Sequence, residues 1–439
     1  MELKKIMQDA GMVGAGGAGF PSYAKLSVEA NTLLVNGAEC EPLLYTDYVL
    51  LRDELEYVLA GILAVKLELN LENVLLCIKE HTAERLEYSD GYLLDGGVRV
   101  KVLPNVYPIG DEISLAYEAT GRLIQPGALP ITQGIIVYNV ETMYNLGVAI
   151  LTGKPVTEKW LTVGGNTQIH TVMKVPVGVK VADVFARLGI TVPEKHTVID
   201  GGPSMGKIIN WRTASVSKTT KGLLVIPAET RAVEAKTINE KAAVARAETA
   251  CCQCTRCTDM CPRHLLGFPL EPHKMVRTAM GAAKVSPELV KTATLCCGCG
   301  ICESLACSQG ISPKAVINNY KALLSANKMR FSPDRVYSPR PERNYRMIPS
   351  AKWAQDIGIA KFDTVADFGG ELCDFKTVEI PLARQIGAPS VPSVSTGDTV
   401  AAGQLIATAA EGLSVPQHAS IGGRVRVLTD RIIIERVNE

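Results

Sequence analysis

The first 152 residues alternate short apolar runs with a stretch whose apolar positions recur at helical spacing. Four runs are typical of buried strands, and residues 47–69 have helical periodicity; the runs are TLLVNGA (32–38), NVLLCI (73–78), VRVKVLP (98–104) and GIIVYNV (134–140). Strands that alternate with helices indicate an α/β domain with a mainly parallel sheet. We therefore predict such a domain over residues 1–152.

Three further regions follow, each with its own pattern. Residues 153–230 consist of short β-type runs divided by Gly and Pro, which predicts a small β-rich domain of β-grasp size. Residues 231–345 read as helical, beginning with a connecting helix over 228–250. Residues 330–350 are rich in Pro and Arg, as expected for a linker. The remainder of 346–439 alternates short strands with turns and predicts a compact all-β module.

Composition excludes several classes of protein. The 439 residues are 47% hydrophobic, which rules out global disorder. The 46 basic and 45 acidic residues nearly cancel, and aromatics are only 5%, so we expect no nucleic-acid partner. No run of 18 uncharged apolar residues occurs, and MELKKIMQDA lacks the apolar core of a signal peptide. We expect a cytoplasmic protein that does not span a membrane.

The cysteines carry the strongest chemical signal. Ten of the 13 fall between residues 251 and 307. CCQCTRCTDMCP contains the frame C-x2-C-x2-C-x3-C-P, and CCGCGICESLAC contains C-x2-C-x2-C-x4-C. In two-cluster ferredoxins the fourth Cys of each run binds the other cluster. Zinc sites use paired CxxC units, and disulfide scaffolds are short and secreted, so we predict two [4Fe-4S] clusters.

The spacing assigns four thiols to each cluster. The first set is Cys251, Cys254, Cys257 and Cys307, and the second is Cys261, Cys296, Cys299 and Cys302. The second run departs from the pattern, because four residues precede its last Cys and Ser308 stands in place of Pro. Cys252 and Cys297 are expected to be free thiols beside the clusters. Cys40, Cys77 and Cys373 are expected to be buried, small apolar residues.

A glycine-rich segment, GAGGAGFPSYAK, spans residues 14–25. Backbone of this kind allows close approach of a phosphate or a ring face, with amide N–H groups as donors and Lys25 adding positive charge. Tight packing is the alternative explanation for such a loop. A helical segment precedes it instead of a strand, so it is not the usual dinucleotide-binding fingerprint.

Three polar segments accompany the glycine loop. NGAECEP (36–42) and YNVETMYN (138–145) follow predicted strands, and YPIGDE covers residues 107–112. Ligands of α/β proteins bind at the carboxyl ends of strands. Each segment alone could be a turn or a helix cap. Their occurrence together favours one shared ligand.

These motifs carry a resemblance to a known family. GAGGAGFP, NGAECEP and YNVET resemble the flavin domain of the NADH-oxidising flavoprotein subunit of respiratory complex I, and still more the RnfC subunit of the Rnf electron-transport complex. GGPSMG (201–206) and VSKTT (216–220) resemble that family's soluble-ligand-binding β-grasp domain. RQIGAP, GDTVAAGQ and HASIGG resemble its biotinyl/lipoyl-like module, a barrel-sandwich hybrid. This module is C-terminal here, an order similar to that of the cobalamin reductases of propanediol-utilisation microcompartments.

The resemblance implies FMN as cofactor and NADH as substrate. It assigns these residues to FMN: Gly14, Gly16, Gly17, Gly19, Lys25, Asn36, Glu39, Asn139 and Thr142. Phe20 and Glu41 match positions used for the nicotinamide nucleotide, and Gly110, Asp111 and Glu112 fall near both ligands. Ala38 and Tyr138 depart from the complex I pattern, which has Asp and Asn there.

The function implied is NADH-dependent reduction of cob(III)alamin, which recycles the cofactor of a diol dehydratase inside a bacterial microcompartment. Adenosyltransferase and shell proteins would then be partners. Two alternatives stay open: delivery of electrons to a redox protein of an Rnf-like, glycyl-radical or amino-acid reductase system, or a conduit without catalysis. The turn at residues 419–424 has no Lys, so we expect an unmodified docking module. Arg263 and His264 are candidates for tuning a cluster through hydrogen bonds.

Overall fold

The computed structural model describes residues 2–282 and 286–437. Its α-helices are α1 Glu2–Asp9, α2 Thr46–Asp53, α3 Leu55–Glu68, α4 Glu80–Arg85, α5 Glu112–Thr120, α6 Val140–Thr152, α7 Val181–Arg187, α8 Arg231–Thr237, α9 Glu240–Ala250, α10 Arg256–Asp259, α11 Pro262–Leu265, α12 Pro272–Ala279, α13 Pro287–Lys291, α14 Ile301–Ser304, α15 Pro313–Ala326 and α16 Ser350–Asp356. Short 3-10 turns lie at Ser22–Lys25, Asp95–Gly97, Pro130–Gln133, Thr292–Leu295, Pro341–Tyr345 and Ala360–Phe362. Among these residues no helix is both long enough and apolar enough to cross a bilayer.

The strands are short and form five sheets in the part of the chain that the structure describes. They are β1 Thr32–Gly37, β2 Asn73–Lys79, β3 Leu93–Leu94, β4 Val98–Leu103, β5 Val106–Tyr107, β6 Ile135–Asn139, β7 Glu158–Gly165, β8 Thr171–Pro176, β9 His196–Asp200, β10 Lys207–Ile209, β11 Gly222–Pro227, β12 Ile348–Pro349, β13 Asp367–Glu371, β14 Thr377–Pro381, β15 Val391–Pro392, β16 Thr399–Val400, β17 Leu405–Thr408, β18 Gln417–His418, β19 Gly423–Val427 and β20 Arg431–Glu435.

The N-terminal domain is built on a five-stranded sheet in the order β3-β4-β2-β1-β6. The pairs β4–β2, β2–β1 and β1–β6 are parallel, which confirms the predicted α/β architecture. Both faces are covered by apolar side chains, as expected for a sheet of parallel strands. The predicted helix over 47–69 is two helices, because α2 ends at Asp53 and Glu54 leaves the helical conformation before α3 begins.

Helices α3 and α6 lie unusually close together on one face of this sheet. A Cβ atom at Gly61 would stand 2.0 Å from the Met143 carbonyl oxygen, and one at Gly147 would stand 1.9 Å from the Tyr57 carbonyl oxygen. Glycine at both positions therefore lets the two backbones touch. This contact fixes α6, whose first turn carries Thr142, against the sheet.

The middle domain contains a six-stranded mixed sheet in the order β10-β9-β11-β7-β8-β13. Its last strand, β13, comes from beyond the cysteine-rich region and pairs in parallel with β8. The C-terminal strands form two small sheets, β14-β20-β19-β16 and β15-β17-β18. They share one apolar core with the middle domain, in which Val175 and Phe185 pack with Val378 and Ile380.

The cysteine-rich region consists of short helices and loops between α8 and α15. The predicted connecting helix over 228–250 is divided into α8 and α9, because the Asn239 side chain accepts from Ala242 N at 2.9 Å and starts a new helix. The predicted linker is held to the N-terminal domain through β12, which pairs with β5 at Ile348 and Tyr107. The cysteine loops are thereby placed against the carboxyl ends of the parallel strands.

Candidate functional site

The glycine loop lies where α1 ends and presents an open backbone surface. Gly16, Gly17 and Ala18 are exposed, and within residues 2–282 and 286–437 their N–H groups donate to no protein acceptor. Ala15 N is held by the Thr142 hydroxyl at 3.1 Å, which ties the loop to the first turn of α6. Free N–H groups on a fixed loop suit the phosphate of a nucleotide. The residues present therefore fit an FMN phosphate.

Gly17 has a backbone conformation that side chains rarely adopt. Its φ is +105°, and a Cβ atom there would meet no protein atom within 4 Å. Gly19 is buried instead, with its Cβ position 2.9 Å from Thr219 Cγ2 and 3.2 Å from the Arg384 carbonyl oxygen. The loop is thus open on one side and held by the middle and C-terminal domains on the other. Gly14 N closes its base by donating to Phe20 O at 2.8 Å.

The polar side chains at the strand ends come together beside this loop. Asn36 Nδ2 donates to Gly110 O at 3.0 Å, which joins the segment after β1 to the loop before α5. Asn139 Nδ2 donates to Asn36 O at 3.2 Å, and its Oδ1 accepts from Glu141 N at the start of α6. A Cβ atom at Gly16 would lie 3.5 Å from Asn139 Cβ. The predicted segments therefore form one edge, and these amides hold its parts in place.

Two of the charged candidates are paired with each other. Lys25 Nζ lies 3.0 Å from Glu112 Oε1 and 3.1 Å from Val137 O. Both side chains keep about a third of their surface exposed, at 30% and 40%. The Lys25 ammonium group, which was predicted to face a phosphate, thus forms an ion pair with Glu112, another predicted site residue.

Glu41 faces the middle domain. Its carboxylate accepts from Ser204 N and Met205 N, both at 2.8 Å, in the GGPSMG loop. Burial raises the pKa of Glu41, and the two N–H donors and Lys236 act in the opposite direction. Phe20, its predicted companion, is half-buried at the end of the glycine loop.

A buried charged cluster lies behind the site, and sequence analysis missed most of it. We define the charged cluster as Glu39, Asp47, Glu141, Lys159 and Lys221. Lys221 Nζ lies 2.6 Å from Asp47 Oδ1 and 3.5 Å from Glu141 Oε2, and Lys159 pairs with Glu141. The available signal was a charged residue inside an apolar run, as in NVETMYNL and EKWLTV, because such residues are seldom buried unless paired.

Glu39 is the member of the charged cluster nearest the strand ends. Both of its carboxylate oxygens accept from Asp47 N, at 3.1 and 3.2 Å. Burial, followed by the nearby Asp47 charge, raises the pKa of Glu39 to about 8, although Lys221 acts to lower it.

The eight predicted ligand thiols line two cavities in the predicted grouping. The outer cavity is lined by Cys251, Cys254, Cys257 and Cys307, and also by Cys252. The inner cavity is lined by Cys261, Cys296, Cys299 and Cys302, and also by Cys297. Cys252 and Cys297, predicted to be free thiols, therefore lie beside the predicted ligands. Cys254 is exposed, whereas Cys261, Cys299 and Cys302 are buried. Among the described residues no three His, Cys, Asp or Glu side chains are grouped to hold one metal ion between them. A [4Fe-4S] group does not need such a grouping, because each thiolate binds a different iron atom.

The donor set of both cavities fits a polynuclear iron–sulfur group. Burial raises the pKa of Cys257 to about 12, and the neighbouring Cys307, Cys254 and Cys251 contribute in the same direction. Burial likewise raises the pKa of Cys302, and Cys296, Cys261 and Cys257 add to it. Four thiolates this close repel each other unless a cationic centre lies between them. The effect of Cys257 on Cys302 also indicates that the two cavities are neighbours.

The inner cavity contacts the segments at the strand ends directly. Arg263 Nη2 lies 2.7 Å from Asp111 Oδ1, and both side chains are largely buried. Tyr107 donates its hydroxyl to Cys299 O at 2.7 Å. The Tyr107 ring stacks on Trp353 with 4.6 Å between centroids. Neither Tyr107 nor Trp353 was a predicted site residue, because the contact joins segments far apart in sequence.

The lone cysteines were predicted to be buried apolar residues. Cys77 is buried and Cys40 is half-buried, but Cys373 is exposed, so the prediction for Cys373 is wrong.

His264, the candidate for tuning a cluster, has its Nδ1 3.0 Å from Leu270 O. His273, which lines the outer cavity, has its Nδ1 2.7 Å from the Thr258 hydroxyl. In the turn between β18 and β19, Ala419 and Ile421 are 0% and 3% exposed. This turn is therefore packed inward and does not form an exposed tip.

Comparison with known families gives three matches along the chain. Residues 7–148 match the Nuo51 FMN-binding domain. Residues 250–312 match a 4Fe-4S dicluster domain, and residues 371–438 match the RnfC barrel sandwich hybrid domain. The fold and the site thus define an electron-transfer oxidoreductase with an FMN-binding domain and an iron–sulfur domain.

Individual relatives narrow this class. Cobalamin reductase PduS of Citrobacter freundii is 36% identical over 435 residues, covering 98% of this chain and 95% of the relative. Cobalamin reductase PduS of Salmonella typhimurium is 35% identical, covering 98% and 96%. The chain belongs to the PduS cobalamin reductase family. One subunit of the ion-translocating oxidoreductase complex of Rhodobacter capsulatus is 32% identical over 65% of this chain and 54% of its own length. The resemblance found in the motifs is confirmed.

Replacing Gly17 with Leu should lower the flavin content, because the side chain enters the open face of the loop and the φ of +105° is strained for it. Gly397→Leu is the matched control, since Gly397 has a φ of +103° and also meets nothing within 4 Å. Flavin and iron per chain are measured on anaerobically purified protein. Equal flavin in the two variants would contradict the role of the loop, and iron should be unchanged in both.

Replacing Glu39 with Gln should change how stability depends on pH. An acid whose pKa is raised on folding, here from 4.5 to about 8, binds its proton more tightly when folded, so its contribution to stability falls as pH rises through that window. Glu39→Gln should therefore gain thermal stability over the wild type between about pH 5 and about pH 8. Glu29→Gln, at an exposed site, is the control. A parallel pH profile for Glu39→Gln and the wild type would refute the assignment.

Proposed function

We propose that the protein is an NADH-dependent flavin and iron–sulfur reductase that reduces cob(III)alamin toward cob(I)alamin. The observation that carries this proposal is the junction between the inner cavity and the strand ends, made by Arg263 with Asp111 and by Tyr107 with Cys299. A flavin site and an iron–sulfur site within one packed unit are suited to passing electrons between them. The corrinoid substrate is taken from the named activity of the PduS relatives.

The chain would hold FMN through the exposed N–H groups of Gly16, Gly17 and Ala18 and through the edge formed by Asn36, Gly110 and Asn139. When bound, FMN exchanges electron pairs with a nicotinamide nucleotide, and iron–sulfur groups carry electrons singly. Phe20 lies at the end of the same loop and would contact the nucleotide. The Glu41 carboxylate accepts hydrogen bonds from Ser204 N and Met205 N at 2.8 Å. It would contact the nucleotide only after these two hydrogen bonds break.

The eight thiols would hold two [4Fe-4S] clusters, one in each cavity. The buried Cys261, Cys299 and Cys302 would exclude water from the inner group. The exposed Cys254 would leave the outer group near the surface, where a corrinoid can approach. The chain's arrangement therefore favours substrate reduction on the outer side and NADH oxidation on the side of the glycine loop.

We further propose that this activity serves a diol dehydratase inside a bacterial microcompartment, with an adenosyltransferase and shell proteins as partners. This part of the proposal rests on the family alone. A second function, delivery of electrons to a partner redox protein, is favoured by the 32% identity with the Rhodobacter capsulatus subunit. In that case the outer cavity would face a protein and not a corrinoid.

The test is an anaerobic assay of the purified holoprotein with NADH, NADPH and cob(III)alamin. The proposal expects NADH to bleach the flavin and cobalamin to be reduced at a rate that depends on protein concentration. Bleaching without cobalamin reduction would favour the redox-protein alternative. A flavin that neither nucleotide bleaches would leave only a conduit without catalysis.

Replacing Cys254 with Ala should lower iron from about eight to about four atoms per chain and leave the flavin bound. Cys252→Ala is the matched control, because Cys252 is an exposed neighbour outside the predicted ligand set. Iron, labile sulfide and flavin are measured after anaerobic purification. Full iron in Cys254→Ala, or equal loss in Cys252→Ala, would contradict the ligand assignment.

A further inference from the structure

One contact of the middle domain with the proposed FMN site is made by a buried lysine, Lys221. We infer that Lys221 is a positioning residue for FMN, acting through Asp47 on the amide of Asn139, so that the middle domain completes the flavin site. This inference rests on the proposed flavin site. Nothing in the motif of the glycine loop or in the strand ends indicates a contribution from residues beyond 152.

The contacts run in one line from the middle domain to the site. Lys221 Nζ lies 2.6 Å from Asp47 Oδ1, and Asn139 Nδ2 donates to Asp47 Oδ2 at 2.9 Å. The Lys221 and Asp47 side chains are 7% and 3% exposed, so solvent does not replace either partner. The orientation of Asp47 therefore depends on Lys221, and that of the Asn139 amide depends on Asp47.

Asn139 in turn lies beside the glycine loop. A Cβ atom built at Gly16 would stand 3.5 Å from Asn139 Cβ and 3.7 Å from its Nδ2, so the loop backbone passes next to this side chain. The same residue starts α6, since its Oδ1 accepts from Glu141 N at 3.0 Å. Three residues further, Thr142 accepts from Ala15 N. A rotated Asn139 amide would thus disturb the loop and the helix that holds it.

The charges explain why Lys221 is needed. Asp47 and Glu141 are buried, and Lys159 and Lys221 are the lysines that pair with them. Lys159 pairs with Glu141, so loss of Lys221 leaves Asp47 without a cation among the described residues. A buried carboxylate that loses its partner takes up a proton or moves toward water. Either change alters the acceptor that Asn139 uses.

The middle domain also holds the start of α2, on which Asp47 sits. Tyr45 N donates to the Thr162 hydroxyl of β7 at 3.0 Å, and the Thr46 hydroxyl is 3.2 Å from the same atom. Lys221 directly precedes β11, which pairs with β7 in parallel. Two neighbouring strands of the middle domain therefore support Asp47. Strand β7 holds the backbone just before it through Thr162, and Lys221, next to β11, pairs with its carboxylate.

The experiment compares FMN binding by flavin-depleted full-length protein in a set of variants. Lys221→Met should weaken FMN binding by about tenfold or more and change the visible circular dichroism of the bound flavin. Asp47→Asn combined with Lys221→Met should return affinity to within about threefold of wild type, because the neutral amide oxygen still accepts from Asn139 and no charge is left unpaired. Lys174→Met is the control, since Lys174 pairs with Glu158 and Glu371 within the middle sheet.

If Lys221→Met does not fold, a comparison of two double variants at positions 47 and 221 still tests the inference. Asp47→Ala with Lys221→Met likewise leaves no unpaired charge at these two positions, yet the side chain of residue 47 can no longer accept from Asn139. It should bind FMN about tenfold more weakly than Asp47→Asn with Lys221→Met. Equal binding by the two double variants, or wild-type binding and dichroism in a folded Lys221→Met, would overturn the inference alone. A wild-type protein that binds no FMN would overturn the proposed flavin site and the inference together.

Discussion

The parallel arrangement of β1 and β6 is the constraint on which the rest of the molecule depends. Parallel neighbours end at the same edge of a sheet, so the segments after Asn36 and Asn139 must lie side by side. Three parts of the molecule attach near that edge: the glycine loop through Thr142, the cysteine loops through Asp111 and Tyr107, and the middle domain through Glu41. A different strand order would separate these groups.

The apolar runs and the cysteine spacing were enough to predict the main strands of the N-terminal domain and the grouping of the thiols. The four predicted strands of the N-terminal domain, which are β1, β2, β4 and β6, begin and end within one or two residues of the predicted runs, because buried parallel strands are continuously apolar. The two-residue strands β3 and β5 were not predicted. The thiols of the two cysteine runs meet as the ferredoxin spacing requires, since Cys261 and Cys307 each cross to the other cavity. The helix breaks at Glu54 and Asn239 were missed, because apolar periodicity continues across both.

Residues of the candidate site could be predicted from the sequence only where they belong to a motif within one short segment. Gly17 and Thr142 belong to local motifs and lie at the predicted edge. The contacts of Glu41 with Ser204 N and of Lys221 with Asp47 join residues more than 160 positions apart. No period or spacing encodes such contacts, and a buried lysine looks like a surface lysine in sequence. Burial and pairing decide its role, and both are properties of the folded chain.

Strand β13 has a consequence for how the protein is made. The middle sheet takes its edge strand from Asp367–Glu371, so it remains unfinished until the ribosome has translated the whole cysteine-rich stretch. Until then the cysteine-rich stretch is joined to the middle domain at only one end. Pairing of β13 with β8 anchors the stretch at both ends, so that it becomes an insertion within the middle domain.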